Sequence, residues 1–140
     1  MTDCIFCQIV EGEIPSRTVY EDDYVMAFLD VNPLSRGHTV VIPKNHFENL
    51  QEMDDPDASA VYSALHNLVE PVTDAVGTSS CNVGINNGEP AGQEIPHVHF
   101  HIVPRFEGDG GGAIHTIMRS TLDIEDEELD EIGDEIRERV

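Results

Sequence analysis

The segment at residues 97–104, HVHFHIVP, limits how this chain can fold more than any other part of the sequence. Histidines alternate with apolar residues, and successive side chains of a β-strand point to opposite faces. A strand here places His97, His99 and His101 on one face. Val98 and its apolar neighbours face the other way, into an expected core. Because histidine changes charge near neutral pH, three in a row indicate a functional face.

The remaining pattern predicts more strands and a long helix. Apolar residues between positions 61 and 76 recur at spacings of three and four, which is typical of an amphipathic helix. Pro71 is expected to kink this helix or shift its register. The predicted strands are 18–21, 24–30, 38–43, 82–87 and 98–103, and the other predicted helices are 5–10 and an acidic one at 122–140 that carries Leu129, Ile132 and Ile136 on one face.

These elements predict an α+β fold, because most strands are joined by hairpins or by one helix. We expect an antiparallel five-stranded sheet with a long central helix and a C-terminal helix. The 140 residues fit one domain, 1–140. Its core is expected at about 4–106, followed by an acidic C-terminal extension at about 107–140.

The charge of the chain is extreme: 28 Asp and Glu face 7 Lys and Arg, for a formal net charge of -21 at pH 7. Such a chain should repel nucleic acids and anionic membranes. The composition is typical of a protein from a salt-loving cell, with an ordinary acidic protein as the alternative. No signal peptide or transmembrane run is visible, so a cytoplasmic location is expected.

Three interpretations compete for the histidine strand. It could be a solvated cluster without a role, or a site in which three histidines hold one metal ion. It could also hold a nucleophile with neighbouring groups that handle protons. The segments that precede it favour the third interpretation.

The chain resembles the histidine-triad family over roughly residues 4–106. The signature His-φ-His-φ-His-φ-φ, with φ apolar, is present at 97–103. Three upstream runs also match the family: FLDVNP at 28–33, GHTVVIPKNH at 37–46 and NNGEPAGQ at 86–93. The resemblance implies a nucleotide-binding enzyme.

The resemblance also implies roles for individual residues. His99 matches the nucleophile that attacks the α-phosphorus and forms a nucleotidyl-histidine. His101 matches a donor to the phosphoryl oxygens, and His38 matches the residue that orients the nucleophile by a hydrogen bond. Gln93 matches a contact to the phosphoryl or leaving group, and backbone amides near Gly92 could add donors.

The nucleotide pocket is implied in the same way. Asp30 matches the carboxylate that binds the ribose hydroxyls, and Asn86 matches a polar contact near the sugar and phosphate. Apolar residues match the wall around the base: Phe6, Ile9, Phe28, Leu29 and Val31. For Phe6, Ile9 and Phe28 a plain core role stays open. One departure is Glu94, where many members have Ser or Thr; a carboxylate cannot donate to a leaving group.

Cys4 and Cys7 have the spacing of zinc ligands, but two ligands are too few. A zinc-binding subset of the family pairs such cysteines with histidines at the positions of His46 and His97. The resemblance therefore implies a structural zinc site of four ligands. The alternative is that both cysteines are small buried residues without a metal, and no organic cofactor is expected.

The leading hypothesis is a hydrolase that cleaves at the α-phosphate of dinucleoside polyphosphates or nucleoside phosphoramidates, acting on a purine nucleotide or dinucleotide. The chain continues past the triad without the Trp-containing tail of the phosphoramidase branch. This difference favours a dinucleotide hydrolase or a general hydrolase. A nucleotide-binding or sensor module with little turnover is the alternative. By resemblance the protein should be a homodimer.

An anionic substrate must approach this acidic chain, and Arg36, Lys44 and Arg105 fall close to the motifs, where they could form a less negative entrance. We expect activity to rise with salt toward molar concentrations, because the Debye length shrinks to roughly 3 Å at ~1 M. Hydrolysis rates measured across a salt series test this. A steady loss of activity with salt contradicts it.

Overall fold

The computed structural model describes residues 3–140 and contains a five-stranded antiparallel sheet with helices on both faces. Met1 and Thr2, at the N-terminus where no signal peptide is visible in the sequence, lie outside the described residues. The strands are β1 (Thr18–Glu21), β2 (Val25–Leu29), β3 (Thr39–Pro43), β4 (Ser80–Gly84) and β5 (Phe100–Arg105), in the order β1-β2-β3-β5-β4. The helices are α1 (Ile5–Val10), α2 (Asp55–Ala75) and α3 (Asp126–Arg139). The predicted fold class is confirmed.

The two faces of the sheet carry two separate apolar clusters. On one face, Val98, Phe100 and Ile102 pack with Val41 against the buried stripe of α2, as the alternation predicts. On the other face, Val40 and its neighbours pack against α1. The histidines of the motif belong to this second face. The sheet therefore separates the main core from the histidine face.

Two strands are shifted along the chain by two residues or more from the prediction, whereas β2 and β3 differ from it by no more than one residue at either end. The fourth strand is Ser80–Gly84 rather than 82–87, and the fifth is Phe100–Arg105 rather than 98–103. The backbone amide of Val98 donates to the carbonyl of Phe47, and that of His97 donates to Ile95. Because these amides are bonded to loops, the β5 ladder starts only at Phe100.

Helix α2 connects β3 to β4 across the back of the sheet. It begins after Asp54, whose carboxylate accepts a hydrogen bond from the amide of Asp57 at 3.0 Å, a typical N-cap. The helix continues through Pro71 to Ala75 as one element. Gly37 packs the loop before β3 against the end of this helix: its φ is +87°, and a Cβ there would lie 2.9 Å from Val76.

Almost every residue from 107 to 140 is exposed. The C-terminal helix is shorter than the predicted 122–140, and its apolar residues Leu129, Ile132 and Ile136 are 50%, 43% and 59% exposed. Among the described residues, no helix combines the length and apolarity needed to cross a bilayer.

Candidate active site

A cavity of about 580 Å³ lies on the histidine face of the sheet. This volume is within the range of small-molecule sites. Its apolar lining includes Phe6, Ile9 and Phe28, and its polar lining includes Asp30 and three histidines, His38, His99 and His101. Further lining residues were not identified from the sequence: Ile5, Ile14, Pro15, Ser16, Asn32, Leu34, Val40 and Ile95. The alternation of β3, which puts Val40 on the face of His38, signals one of them.

Strand register assembles this wall from distant parts of the chain. Phe28 of β2 pairs with Val40 of β3, which pairs in turn with His101 of β5. These three side chains therefore stand in one row across the sheet. His38 lies two residues from Val40 on the same face, and His99 lies two residues from His101. The sheet thus brings the apolar residues Phe28 and Val40 together with the histidines.

The protonation of His99 follows from its backbone contact. Its Nδ1 lies 2.7 Å from the carbonyl oxygen of His97, and a carbonyl can only accept, so Nδ1 carries the proton. The neutral ring then keeps a lone pair on Nε2. Phe6 packs edge-on against this ring, with centroids 5.1 Å apart. His99 is therefore a buried imidazole in the nucleophilic tautomer.

His38 and His101 form a second hydrogen-bonded pair. The amide of Leu34 donates to Nδ1 of His38 at 3.0 Å, so the proton of His38 is on Nε2. This Nε2 donates to Nδ1 of His101 at 2.9 Å, which leaves His101 with its proton on Nε2. The expected hydrogen bond from His38 to His99 is wrong, because Nε2 of His38 is bonded to His101, and Nδ1 of His99 is bonded to the carbonyl of His97.

Burial keeps this pair neutral. Desolvation lowers the pKa of His38, partly offset by the carboxylate of Asp30, whose Oδ2 lies 3.7 Å from His38 Nε2. Burial, helped by the neighbouring His99 and His38, lowers the pKa of His101 to about 4. Both rings are therefore uncharged at neutral pH, as the tautomer assignment requires.

The first histidine of the motif belongs to a separate cluster. His97 is fully buried, and its Nε2 donates to the carbonyl of Pro43 at 2.8 Å. Its unprotonated Nδ1 lies 3.3 Å from Cys4 Sγ, 3.6 Å from Cys7 Sγ and 3.2 Å from His46 Nδ1. His46 Nδ1 also lies 3.3 Å from Cys7 Sγ. Burial lowers the pKa of His97 to about 4, which keeps this ring neutral as a metal ligand must be.

These separations fit a tetrahedral metal. Zinc bonds of about 2.3 Å to sulfur and about 2.0 Å to nitrogen place neighbouring ligand atoms roughly 3.3–3.8 Å apart, the longest separation being between two sulfurs. Cys4, Cys7, His46 and His97 are brought together as one potential ligand set. The interpretation in which the three histidines of the motif hold one metal does not match, because His97 faces the cysteines while His101 faces His38.

The loop after β4 uses its polar groups internally. The side chain of Gln93 accepts from the amide of Gly88 and donates to the carbonyls of Glu48 and Ile95, at 2.7–2.9 Å. The amide of Gly92 donates to the carbonyl of Glu89, so it is not an available oxyanion donor. The catalytic role of Gln93 stays a prediction, and in this structure its amide braces the loop. Asn86, Gly92 and Glu94 line the cavity.

Other predicted residues differ in placement. Leu29 is half-buried and Val31 is 75% exposed, and both line the rim of the cavity. None of the three cations of the expected entrance lines the cavity. Lys44 pairs with Glu21 at 2.6 Å, Arg105 pairs with Asp109 at 2.8 Å, and Arg36 lines a separate apolar groove behind the sheet.

Comparison with known proteins identifies the architecture. The HIT domain family model matches residues 11–108. The chain belongs to the HIT family. A crystal structure of a HIT family member from Bacillus subtilis superposes with a TM-score of 0.89 at 42% identity, covering 99% of this chain and 98% of that one.

Two further relatives bear on the chemistry of the HIT fold. The adenosine 5'-monophosphoramidase hnt1 of Schizosaccharomyces pombe is 38% identical over 98% of both chains. A Zn-bound histidine triad family protein from Mycobacterium smegmatis is 34% identical, with a TM-score of 0.73 over 77% of this chain and 78% of that one.

We expect the free energy of unfolding to fall as the pH is lowered from 6.5 toward about 4. The pKa of His101 moves from 6.5 when unfolded to about 4 when folded. Between these values the unfolded chain binds a proton that the folded chain excludes, so stability present above pH 6.5 is lost progressively. Urea unfolding at several pH values measures the slope.

In His101→Asn this slope should be shallower by up to ~1.4 kcal/mol per pH unit. His66→Asn, at an exposed position on α2, is the matched control and should keep the wild-type slope. Equal slopes in wild type and His101→Asn would contradict the assignment.

Proposed function

We propose that this HIT protein is a nucleotide hydrolase that cleaves nucleotide derivatives at the α-phosphate through a nucleotidyl-His99 intermediate. One observation carries the proposal: the contact of His99 Nδ1 with the carbonyl of His97, which leaves Nε2 as a lone-pair donor at the wall of the cavity. The kinship with an adenosine 5'-monophosphoramidase supports an enzyme of this class. The substrates proposed are purine nucleoside phosphoramidates or dinucleoside polyphosphates.

The lining of the cavity supports one orientation of the bound nucleotide. The base packs against Phe6 and Phe28, and the carboxylate of Asp30 accepts hydrogen bonds from the ribose hydroxyls. The α-phosphate then reaches His99, whose ring faces the same cavity and adjoins Phe6. Asn86 lines the same cavity and supplies an amide to the sugar or phosphate.

The reaction proceeds in two displacements. Nε2 of His99 attacks the α-phosphorus and the bond to the leaving group breaks, while Nδ1–H of the imidazolium stays bonded to the carbonyl of His97. The leaving amine takes up the proton on Nε2 of His101, and His101 regains a proton from solvent. Water then cleaves the phosphorus–nitrogen bond to His99, which releases the nucleoside monophosphate and returns one proton.

His38 and Asp30 support the proton donor. Because Leu34 holds His38 in one tautomer, His38 in turn fixes His101 with its proton directed away from the pair. The carboxylate of Asp30 favours positive charge on both rings while His101 passes a proton. Asp30 thus acts on the sugar and, through His38, on the leaving group.

The decisive experiment is intact-protein mass spectrometry after rapid acid-free quenching with adenosine 5'-phosphoramidate. Wild type should gain the mass of one adenylyl group, which is AMP less one water, while His99→Ala should show no adduct and at least about a 1,000-fold loss of kcat. Absence of adduct and turnover in wild type, with AMP binding intact by calorimetry, would leave a nucleotide-binding module instead. His66→Ala is the matched control.

We further propose that Cys4, Cys7, His46 and His97 hold a structural zinc ion, in support of which stand their mutual distances and the Zn-bound relative. The bound metal would tie the start of α1, and hence Phe6, to the strand that carries His99. The homodimer expected from the resemblance stays a prediction.

Elemental analysis should find about one zinc per chain, lost in Cys7→Ser and His46→Ala. Removing the metal should lower the melting temperature first and activity only secondarily, because His99 itself needs no metal. Cys81→Ser, at the remaining cysteine, is the control and should retain zinc. Full stability of the chelator-treated protein would contradict a structural role.

A further inference from the structure

We infer that Glu94 makes the leaving-group end of the cavity selective for neutral or cationic amines over anionic leaving groups. This rests on the proposed function and specifies its substrate class. Glu94 lines the same cavity as His99 and His101. Its carboxylate side chain is exposed to solvent.

Glu94 lies where the cavity of His99 adjoins a second cavity. Both cavities are lined by Gly92 and Glu94, on the loop that precedes the histidine motif. A group leaving from phosphorus departs opposite the attacking Nε2 of His99. In the proposal, a long leaving group extends past Glu94 into this second space.

The space beyond Glu94 is also acidic. A second cavity of about 810 Å³ shares Gly92 and Glu94 with the first, and Glu48 and Glu89 line it as well. These two carboxylates add negative charge to the space that adjoins Glu94. Gln93, which also lines this space, is occupied with backbone groups.

No positive side chain offsets these carboxylates. All seven Lys and Arg residues lie in the described part of the chain, and none of them lines either cavity. The chain of phosphates released from a dinucleoside polyphosphate carries several negative charges and would meet Glu94 without a counter-charge. A second amino group on the leaving amine would instead be attracted. The charge near Glu94 therefore disfavours the dinucleotide substrates that the sequence favoured.

The test uses three adenosine 5'-phosphoramidates of similar size: one of n-butylamine, one of 1,3-diaminopropane and one of β-alanine. At low ionic strength, kcat/KM for the cationic amide should exceed that for the anionic amide by about tenfold in wild type. Glu94→Gln should reduce this ratio by about threefold or more, and molar salt should compress it. Circular dichroism confirms folding at each salt concentration.

Glu70→Gln is the matched control, because it removes the same charge from an exposed position on α2, outside both cavities. It should leave the ratio unchanged. An unaltered ratio in Glu94→Gln, or a wild-type preference for the anionic amide, would overturn the inference while adduct formation on His99 upheld the proposed function. Absence of adduct with all three amides would instead reject the proposed function itself.

Discussion

The buried imidazole of His97 is the constraint on which the rest of the site depends. One ring nitrogen donates to the carbonyl of Pro43, and the other faces the two cysteines and His46. The carbonyl of the same residue accepts the proton of His99. One residue therefore links the potential metal cluster, the adjacent strand and the proposed nucleophile. Any shift of its backbone would change the direction of the His99 lone pair.

Hydrogen-bond direction then determines what each histidine can do. A carbonyl partner forces His99 to keep its proton on Nδ1, whereas an amide partner forces His38 to keep its proton on Nε2. The first arrangement leaves a lone pair on Nε2 of His99. In the second, His38 donates to Nδ1 of His101, so His101 keeps its own proton on Nε2. Burial keeps the rings of His38 and His101 neutral, so this division of roles persists at physiological pH. Three chemically identical side chains thus differ in hydrogen-bonding arrangement because their neighbours differ.

The charge distribution matters at a longer range. A net charge of -21 opposes the approach of any nucleotide, and the few cations are paired with carboxylates or placed away from the cavity. In the proposed function, nucleotide recognition therefore depends on the apolar lining of the cavity, on hydroxyl contacts with Asp30 and on hydrogen bonds to the phosphate. A negative wall at Glu94 adds discrimination at the leaving group rather than affinity for the nucleotide.

The sequence by itself determined the fold class, the two-faced character of β5 and the family, because alternation, helical spacing and contiguous motifs are local properties of the chain. It also predicted that Cys4 and Cys7 meet His46 and His97, through resemblance. Only the tertiary structure decided that His38 contacts His101 and not His99, that the amide of Gln93 braces a loop, and that Arg36, Lys44 and Arg105 lie away from the cavity. These outcomes depend on strand register and on which backbone groups lie opposite each side chain. Distances between residues far apart in sequence are set by packing, and no local pattern encodes them.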